Sequence, residues 1–308
     1  MLRRCVFLSS SRFVRRRVVS RRVFTHRNDF KYQASNRAAI AVRGATASGI
    51  AAIAAATLAP PDRDTAGCSG REVREDLERI DSWWEKEMPL AKDQLMKLNE
   101  EYPGNAEVLW RLTRVLYNIA FGIKDKHLKQ SIYEDAMRYI EEALNDEEGK
   151  HISSVHKWYA IVLSELSSLQ GTKASIESAY VVKDHFDRAA ELDPSDPNCW
   201  HFLGRWSFTI ASIGWWSRQI AATIFATPPM STFEEALGYF DRAESIRPGF
   251  WKSNLFYIAR CHFELGDKKR ARSLLIEARS MDVITEEDRQ TQTEIEALLA
   301  TIPAAEAA

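Results

Sequence analysis

Cysteine is scarce in this chain. Four occur in 308 residues, at positions 5, 68, 199 and 261, and no two have C-x2-C spacing. The spacing signature of a zinc site or a redox pair is therefore missing, and Cys199 and Cys261 read as small buried hydrophobes. Motifs for chemistry are missing too. There is no G-x-x-x-x-G-K-[ST], no nucleophile elbow and no H-E-x-x-H. His151 and His156 stand five apart, which does not put them on one helix face as a metal pair. Asp184, His185 and Asp187 fall close together on a helical pattern, where neighbouring side chains diverge, and read as surface groups. No catalysis, cofactor or metal is expected. No alternating run with turn signals marks a sheet, so the fold class is all-α.

Acid is nearly absent from the first 43 residues, which hold 12 Lys/Arg and one carboxylate, Asp29, for a net +11. The rest of the chain is net −12, so the overall −1 hides a basic arm on an acidic domain. The arm is rich in Arg and Ser with interspersed Val, Phe and Leu, the composition of a mitochondrial targeting helix. Arg22-Val23-Phe24 before Thr25 is similar to a matrix-peptidase site. A nucleic-acid or nuclear-import arm is the alternative; mitochondrial targeting is the reading taken, with no nucleic-acid partner. Residues 44–61 carry no charge and are mostly Ala, Gly, Thr and Ile. At about 18 residues such a stretch barely reaches spanning length, and no firm transmembrane span is expected. The division is a basic arm at 1–43, an Ala-rich segment and linker at 44–70, a repeat domain at 71–300 and a tail at 301–308.

What is present is a repeat. Trp200-His201-Phe202-Leu203-Gly204 is the W-x2-L-G opening of a tetratricopeptide unit, completed by Ala236, Phe240, Ala243 and Pro248. Leu255, Ile258, Ala259 and His262 open another, turned at Gly266-Asp267 and closed by Ala271, Leu275 and Ala278. Earlier units drift. Trp158, Ile161 and Val162 lead to Val182, Phe186, Ala189 and Pro194; Trp110 and Tyr117 lead to Ala136, Ile140 and Ala143. Ala91, Leu95, Leu98 and Pro103 form the second helix of a degenerate unit, with Leu77, Ile80 and Trp84 on the helix before it. Asp196-Pro197, the capping box Thr232–Glu235, and Thr285–Asp288 at a polar terminal helix mark boundaries. Trp110, Trp158, Trp200, Gly204, Ala236, Phe240, Ala243, Ala271 and Ala278 are the expected structural positions. A unit of this kind buries its apolar face only by stacking on its neighbours, and the stack leaves a concave groove.

The segment Leu109-Trp110-Arg111-Leu112, the Trp200–Gly204 opening, the insert Ile220-Ala221-Ala222-Thr223 before Pro228-Pro229, and Glu235-Ala236-Leu237 together resemble the regulator of microtubule dynamics family. The resemblance covers roughly residues 72–300. It implies a tetratricopeptide-like domain, association with microtubules and spindle poles, and in some members a mitochondrial address. One branch is implicated in binding phospholipid at membrane contact sites. The expected function is a noncatalytic adaptor whose partner is microtubules or another protein. A phospholipid-binding or lipid-transfer module at mitochondria, using the same groove, is the alternative. Mitochondria are the expected location, with cytoplasm, cytoskeleton and spindle pole as further ones.

The groove of such an array is lined by first-helix residues one and five positions beyond the leading aromatic or Leu. In register these are Arg111 and Val115, Tyr159 and Leu163, His201 and Arg205, then Phe256 and Arg260. Arg111, Tyr159, His201, Arg205, Phe256 and Arg260 are the candidate ligand contacts. Arg205 and Arg260 share a rung of consecutive repeats, which suits a carboxylate or phosphate; the alternative is that each pairs with a groove acid or simply faces water. Basic clusters at Lys124-Lys126-Lys129 and at Lys268-Lys269-Arg270 with Arg272 read as solvated helix and turn. Residues 206–230 hold Trp206, Phe208, Ile210, Ile213, Trp215, Trp216, Ile220, Ile224 and Phe225 with one charge, Arg218. Such a helix needs cover on several sides. It either packs into the core or extends the first helix past the groove to wall an apolar cavity.

Overall fold

The computed structural model of the chain describes residues 73–213, 219, 222–224 and 229–302, and the elements among them are helical. The basic arm, the segment 44–70 and residues 303–308 lie outside them, as do Trp215, Trp216, Arg218, Ile220 and Phe225 of the insert. Helix α1 runs over residues 73–81. It is followed by α2 (Met88–Glu101), α3 (Ala106–Phe121), α4 (Lys126–Asn145), α5 (Ser153–Gln170) and α6 (Thr172–Leu192). The remaining helices are α7 (Pro197–Ala211), α8 (Phe233–Ile246), α9 (Lys252–Glu264), α10 (Lys268–Ser280) and α11 (Glu286–Thr301).

Local chemistry sets these boundaries. Asn105 accepts from the Glu107 and Val108 amides at the start of α3, and Asp196 caps α7 with Pro197 in its first turn. Thr232 with Glu235 and Thr285 with Asp288 both form reciprocal capping boxes. Gly266 takes φ +88° at the turn between α9 and α10, a region open to glycine, and Asp267 caps α10.

Each first helix packs on its second: α3 on α4, α5 on α6, α7 on α8, α9 on α10. The units then stack, α3 touching α5 and α7 touching α9, while α11 closes on α9 and α10. The interlock is small against large. Gly204 on α7 lies under Phe240 of α8, so close that a Cβ there would sit 2.6 Å from the ring. Ala236, Phe240 and Ala243 are fully buried in this contact, and Ala271 and Ala278 do the same for α10. Trp110 is buried, while Trp158 and Trp200 pack half-buried at the seams between units. At the far end Lys252 is buried, its Nζ donating to Met281 O and Gln292 Oε1, both at 2.8 Å, which ties α9 to α11.

The first helix does not run on past the groove. α7 stops at Ala211: Ser212 turns its hydroxyl back onto Phe208 O, the Ile213 amide makes a tight bond to Ile210 O, and Gly214 follows in sequence. Phe208 and Ile210 are buried, and Trp206 donates its indole N–H to Ala179 O at 2.9 Å. The start of the insert, from Trp206 to Ile210, therefore packs on the solenoid. No described helix is long and apolar enough to cross a membrane.

Candidate functional site

The six side chains assigned to the groove separate into four environments. Arg111 is pinned. Its Nη2 lies 2.8 Å from Asp81 of α1 and its Nη1 2.6 Å from Glu107. Arg114 shares Asp81 and stacks on Trp84, 4.2 Å from the ring centre. Burial works against the Asp81 charge, but hydrogen bonds from Arg111 and Arg114 hold its carboxyl below the usual range. This end of the groove thus carries a closed ion cluster, and Arg111 is not open to a ligand.

His201 and Phe256 belong to the core. His201 is fully buried among Phe202, Phe240, Trp251 and Tyr257. The Asn254 amide nitrogen donates to Phe240 O and Glu244, so Asn254 Oδ1 must accept, and it takes the His201 Nδ1 proton at 3.0 Å. Burial and the Arg205 charge push the imidazole down to about 3, against the Asn254 bond, so it is neutral at pH 7. Its Nε2 is buried without a partner. Phe256 sits in the same cluster at 2% exposure. Both positions look into the seam where the next helix packs, which first-helix spacing alone does not reveal.

Arg205 and Arg260 are the third environment. Each guanidinium carbon lies 5.4 Å from the centre of the one Tyr257 ring, so the two are at most twice that apart. Arg260 also covers Phe208 at 4.4 Å. Among the described residues no carboxylate comes within ion-pairing reach of either. Burial opposes the Arg205 charge, and Tyr257, Tyr117, Glu287 and Glu165 together hold it above the ordinary arginine range. Glu287, at the start of α11, is the reciprocal case. Burial raises its carboxyl to about 7, although Arg205 and a hydrogen bond from Ser253 pull the other way.

Beside Arg205 a cavity of about 270 Å³ opens between α5, α6 and α7. Ile161, Val182, Phe186 and Phe202 form its apolar wall, with Ser164 and Ser178 supplying hydroxyls. Tyr159, the remaining expected contact, lies flat on His185 at 4.1 Å between ring centres. His185 in turn meets His156 across the α5–α6 hairpin, Nδ1 to Nδ1 at 3.1 Å. Sequence spacing gave no sign of this pair, because its members are 29 residues apart on different helices.

The family profile described as Regulator of microtubule dynamics protein 1-3 matches residues 76–303. The chain belongs to that family. It is 40% identical over 230 residues to regulator of microtubule dynamics protein 1 of Bos taurus, covering 74% of this chain and 71% of the relative. The Xenopus laevis regulator of microtubule dynamics protein 3 is 34% identical over 198 residues, covering 64% of this chain and 42% of that one. Among solved structures the fold is similar to a thermophilic TPR protein of Thermus thermophilus, at 10% identity and a TM-score of 0.49, covering 74% and 97% of the two chains.

Proposed function

We propose that this regulator-family chain is a noncatalytic helical-repeat adaptor that holds an acidic protein segment in its groove through Arg205 and Arg260. One observation carries the reading: two guanidiniums flank a single tyrosine ring with no carboxylate of their own in reach. Arg205 lies over Tyr257, and Arg260 over Phe208 and Tyr257, which restrains both guanidiniums; an oxygen ligand would take their N–H groups. The name carried by the relatives supports microtubules, whose tubulin tails are acidic, as the partner. The folded region is net acidic, which disfavours loose attraction to tubulin and puts the weight on a local cationic site. Residues 1–43 are the proposed mitochondrial address, tested by fusing them to a soluble reporter; a diffuse or nuclear reporter overturns it.

Phospholipid in the same groove is the second reading, supported by the apolar wall beside Arg205. The volume supports the first reading. About 270 Å³ falls short of the roughly 300–1,000 Å³ of drug-sized sites, and fits a side chain of a bound segment better than a two-chain lipid. The test is co-sedimentation of the full chain with intact microtubules and with microtubules trimmed of their acidic tails. Arg205→Gln with Arg260→Gln should lose at least tenfold in affinity for the intact polymer, with unchanged circular dichroism. A double variant that pellets like the parent overturns the assignment. A lipid retained by the parent in native mass spectrometry and lost from the double variant would move the groove to the second reading.

A further inference from the structure

The His156–His185 pair lies outside the groove cations and has a geometry of its own. His156 Nε2 is 3.1 Å from Lys150 O, a carbonyl that can only accept, so in the neutral ring the proton sits on Nε2 and Nδ1 is bare. That bare nitrogen faces His185 Nδ1 at 3.1 Å. The ring centres are 5.0 Å apart and the planes 37° from each other. That 5.0 Å separation is shorter than a collinear N–H···N pair with the same nitrogen distance would give, so the rings fall short of that arrangement. Tyr159 lies on the His185 ring at 4.1 Å and 21°, which fixes its orientation from the other side.

We propose that His156 and His185 form a two-imidazole chelate for a divalent transition-metal ion of the zinc and copper class, bridging α5 and α6. With metal–nitrogen bonds of about 2.0–2.1 Å, an ion placed between two nitrogens this far apart subtends an angle of roughly 100°, compatible with a tetrahedral or tetragonal centre. Binding needs no net proton release. The His185 proton moves from Nδ1 to Nε2 through solvent, both Nδ1 lone pairs turn to the ion, and no bond to carbon or change of oxidation state is involved. The Lys150 carbonyl on the far nitrogen of His156 is the outer partner that fixes tautomer and ring direction in metal-binding histidines. Burial keeps both imidazoles below their ordinary range, His185 down to about 4, so they are unprotonated at pH 7 as ligands must be. Arg188, whose charge bears on His156, is tied to Glu191 at 3.2 Å. Among the described residues no third His, Cys, Asp or Glu completes a cage. Water would fill the remaining positions, unlike the closed four-ligand shell of a structural zinc site.

The test titrates Cu2+ and Zn2+ into the full chain, with His185→Phe, which keeps a ring for Tyr159, and His156→Gln, which keeps a donor for the Lys150 carbonyl. The parent should take up Cu2+ with an electron paramagnetic resonance spectrum showing two nitrogen ligands, and bind Cu2+ more tightly than Zn2+. Each variant should weaken Zn2+ binding at least tenfold and lose the two-nitrogen pattern, while His151→Gln changes neither. Helix content by circular dichroism checks the fold, and either folded variant alone decides the question. A folded variant that binds Zn2+ like the parent, or a parent whose copper signal lacks the two nitrogens, overturns the site.

Discussion

Two ends of the same groove treat arginine in opposite ways. On α3, Arg111 and Arg114 stack on Trp110 and Trp84 and are both taken up by Asp81 of α1. On α7 and α9, Arg205 and Arg260 stack on Tyr257 and Phe208 and meet no carboxylate at bonding distance among the described residues. Aromatic support is common to both ends, so stacking does not separate a structural arginine from an available one. The difference is the carboxylates within reach, Asp81 of α1 for both arginines and Glu107 of α3 for Arg111. Where α1 supplies Asp81 the cation closes a seam; where the neighbouring helices supply Glu165 and Glu287 only at longer range, the cation keeps its hydrogen-bonding edge.

The strongest way to break this contrast is to move α7. Gly204→Leu drives a side chain into the Phe240 ring at a crossing where a single Cβ already falls at 2.6 Å. Overpacking of this sort costs about 3 kcal/mol, the upper end of its usual span, and should lower the urea midpoint and displace Arg205 with its helix. A midpoint equal to the parent's would mean that the α7–α8 contact is not the one described.

That contact was readable beforehand because it is a matter of period. Gly204, Ala236, Phe240 and Ala243 recur at fixed helical intervals, and a small residue facing a large one is the same statement in sequence and in space. The ends of the groove were less readable for the opposite reason. Arg111 and Asp81 are 30 residues apart, and His156 and His185 are 29. No period within one helix reports what the neighbouring helix presents. His201 and Phe256 show the same limit: the rung was placed on the first helix, but a rotation toward the next hairpin turns groove into core. The end of α7 is not legible in the pattern, because apolar residues continue through Ile213 while the helix closes at Ser212.

Asp81→Asn sharpens the comparison by making the closed end resemble the open one. It leaves two part-buried guanidiniums without their shared carboxylate, and should cost about 2 kcal/mol at pH 7. The sign with pH follows from the depressed carboxyl. Its contribution is present above the ordinary value of 3.8 and is lost as pH falls through the lower folded value. The deficit of the variant measured by denaturation at pH 7 should therefore shrink below pH 3.8. Added sulfate should restore part of the stability of Asp81→Asn and little of the parent's, by binding the freed arginines. Equal stability of variant and parent at pH 7 would show that the cluster contributes nothing.

Glu287→Gln works from the open end and has the smallest effect on folding. Burial places the carboxyl at about 7 in the folded chain, above the ordinary 4.5. Between those values the folded chain holds a proton that the unfolded chain has released, so stability falls as pH rises through this window. Glutamine has no proton to lose, and the variant should gain on the parent from pH 4.5 to 7 and hold a constant lead above it. Arg205 already offsets part of the cost of ionisation and the residue is only part-buried, so the lead should be about 1–2 kcal/mol rather than the full value of the shift. The low imidazoles of His201, at about 3, and His185, at about 4, make stability rise with pH in the acid range, but they do so in both chains and cancel in the difference. The same substitution removes the anion that competes for Arg205, so an acidic segment should bind Glu287→Gln more tightly than the parent at pH 8 and about equally at pH 5. Denaturation free energies of the two chains that run parallel from pH 4.5 to 8 would show that the Glu287 carboxyl is not raised in the folded chain. It would then be ionised across this window, and the open end would have an anion of its own to set against Arg205.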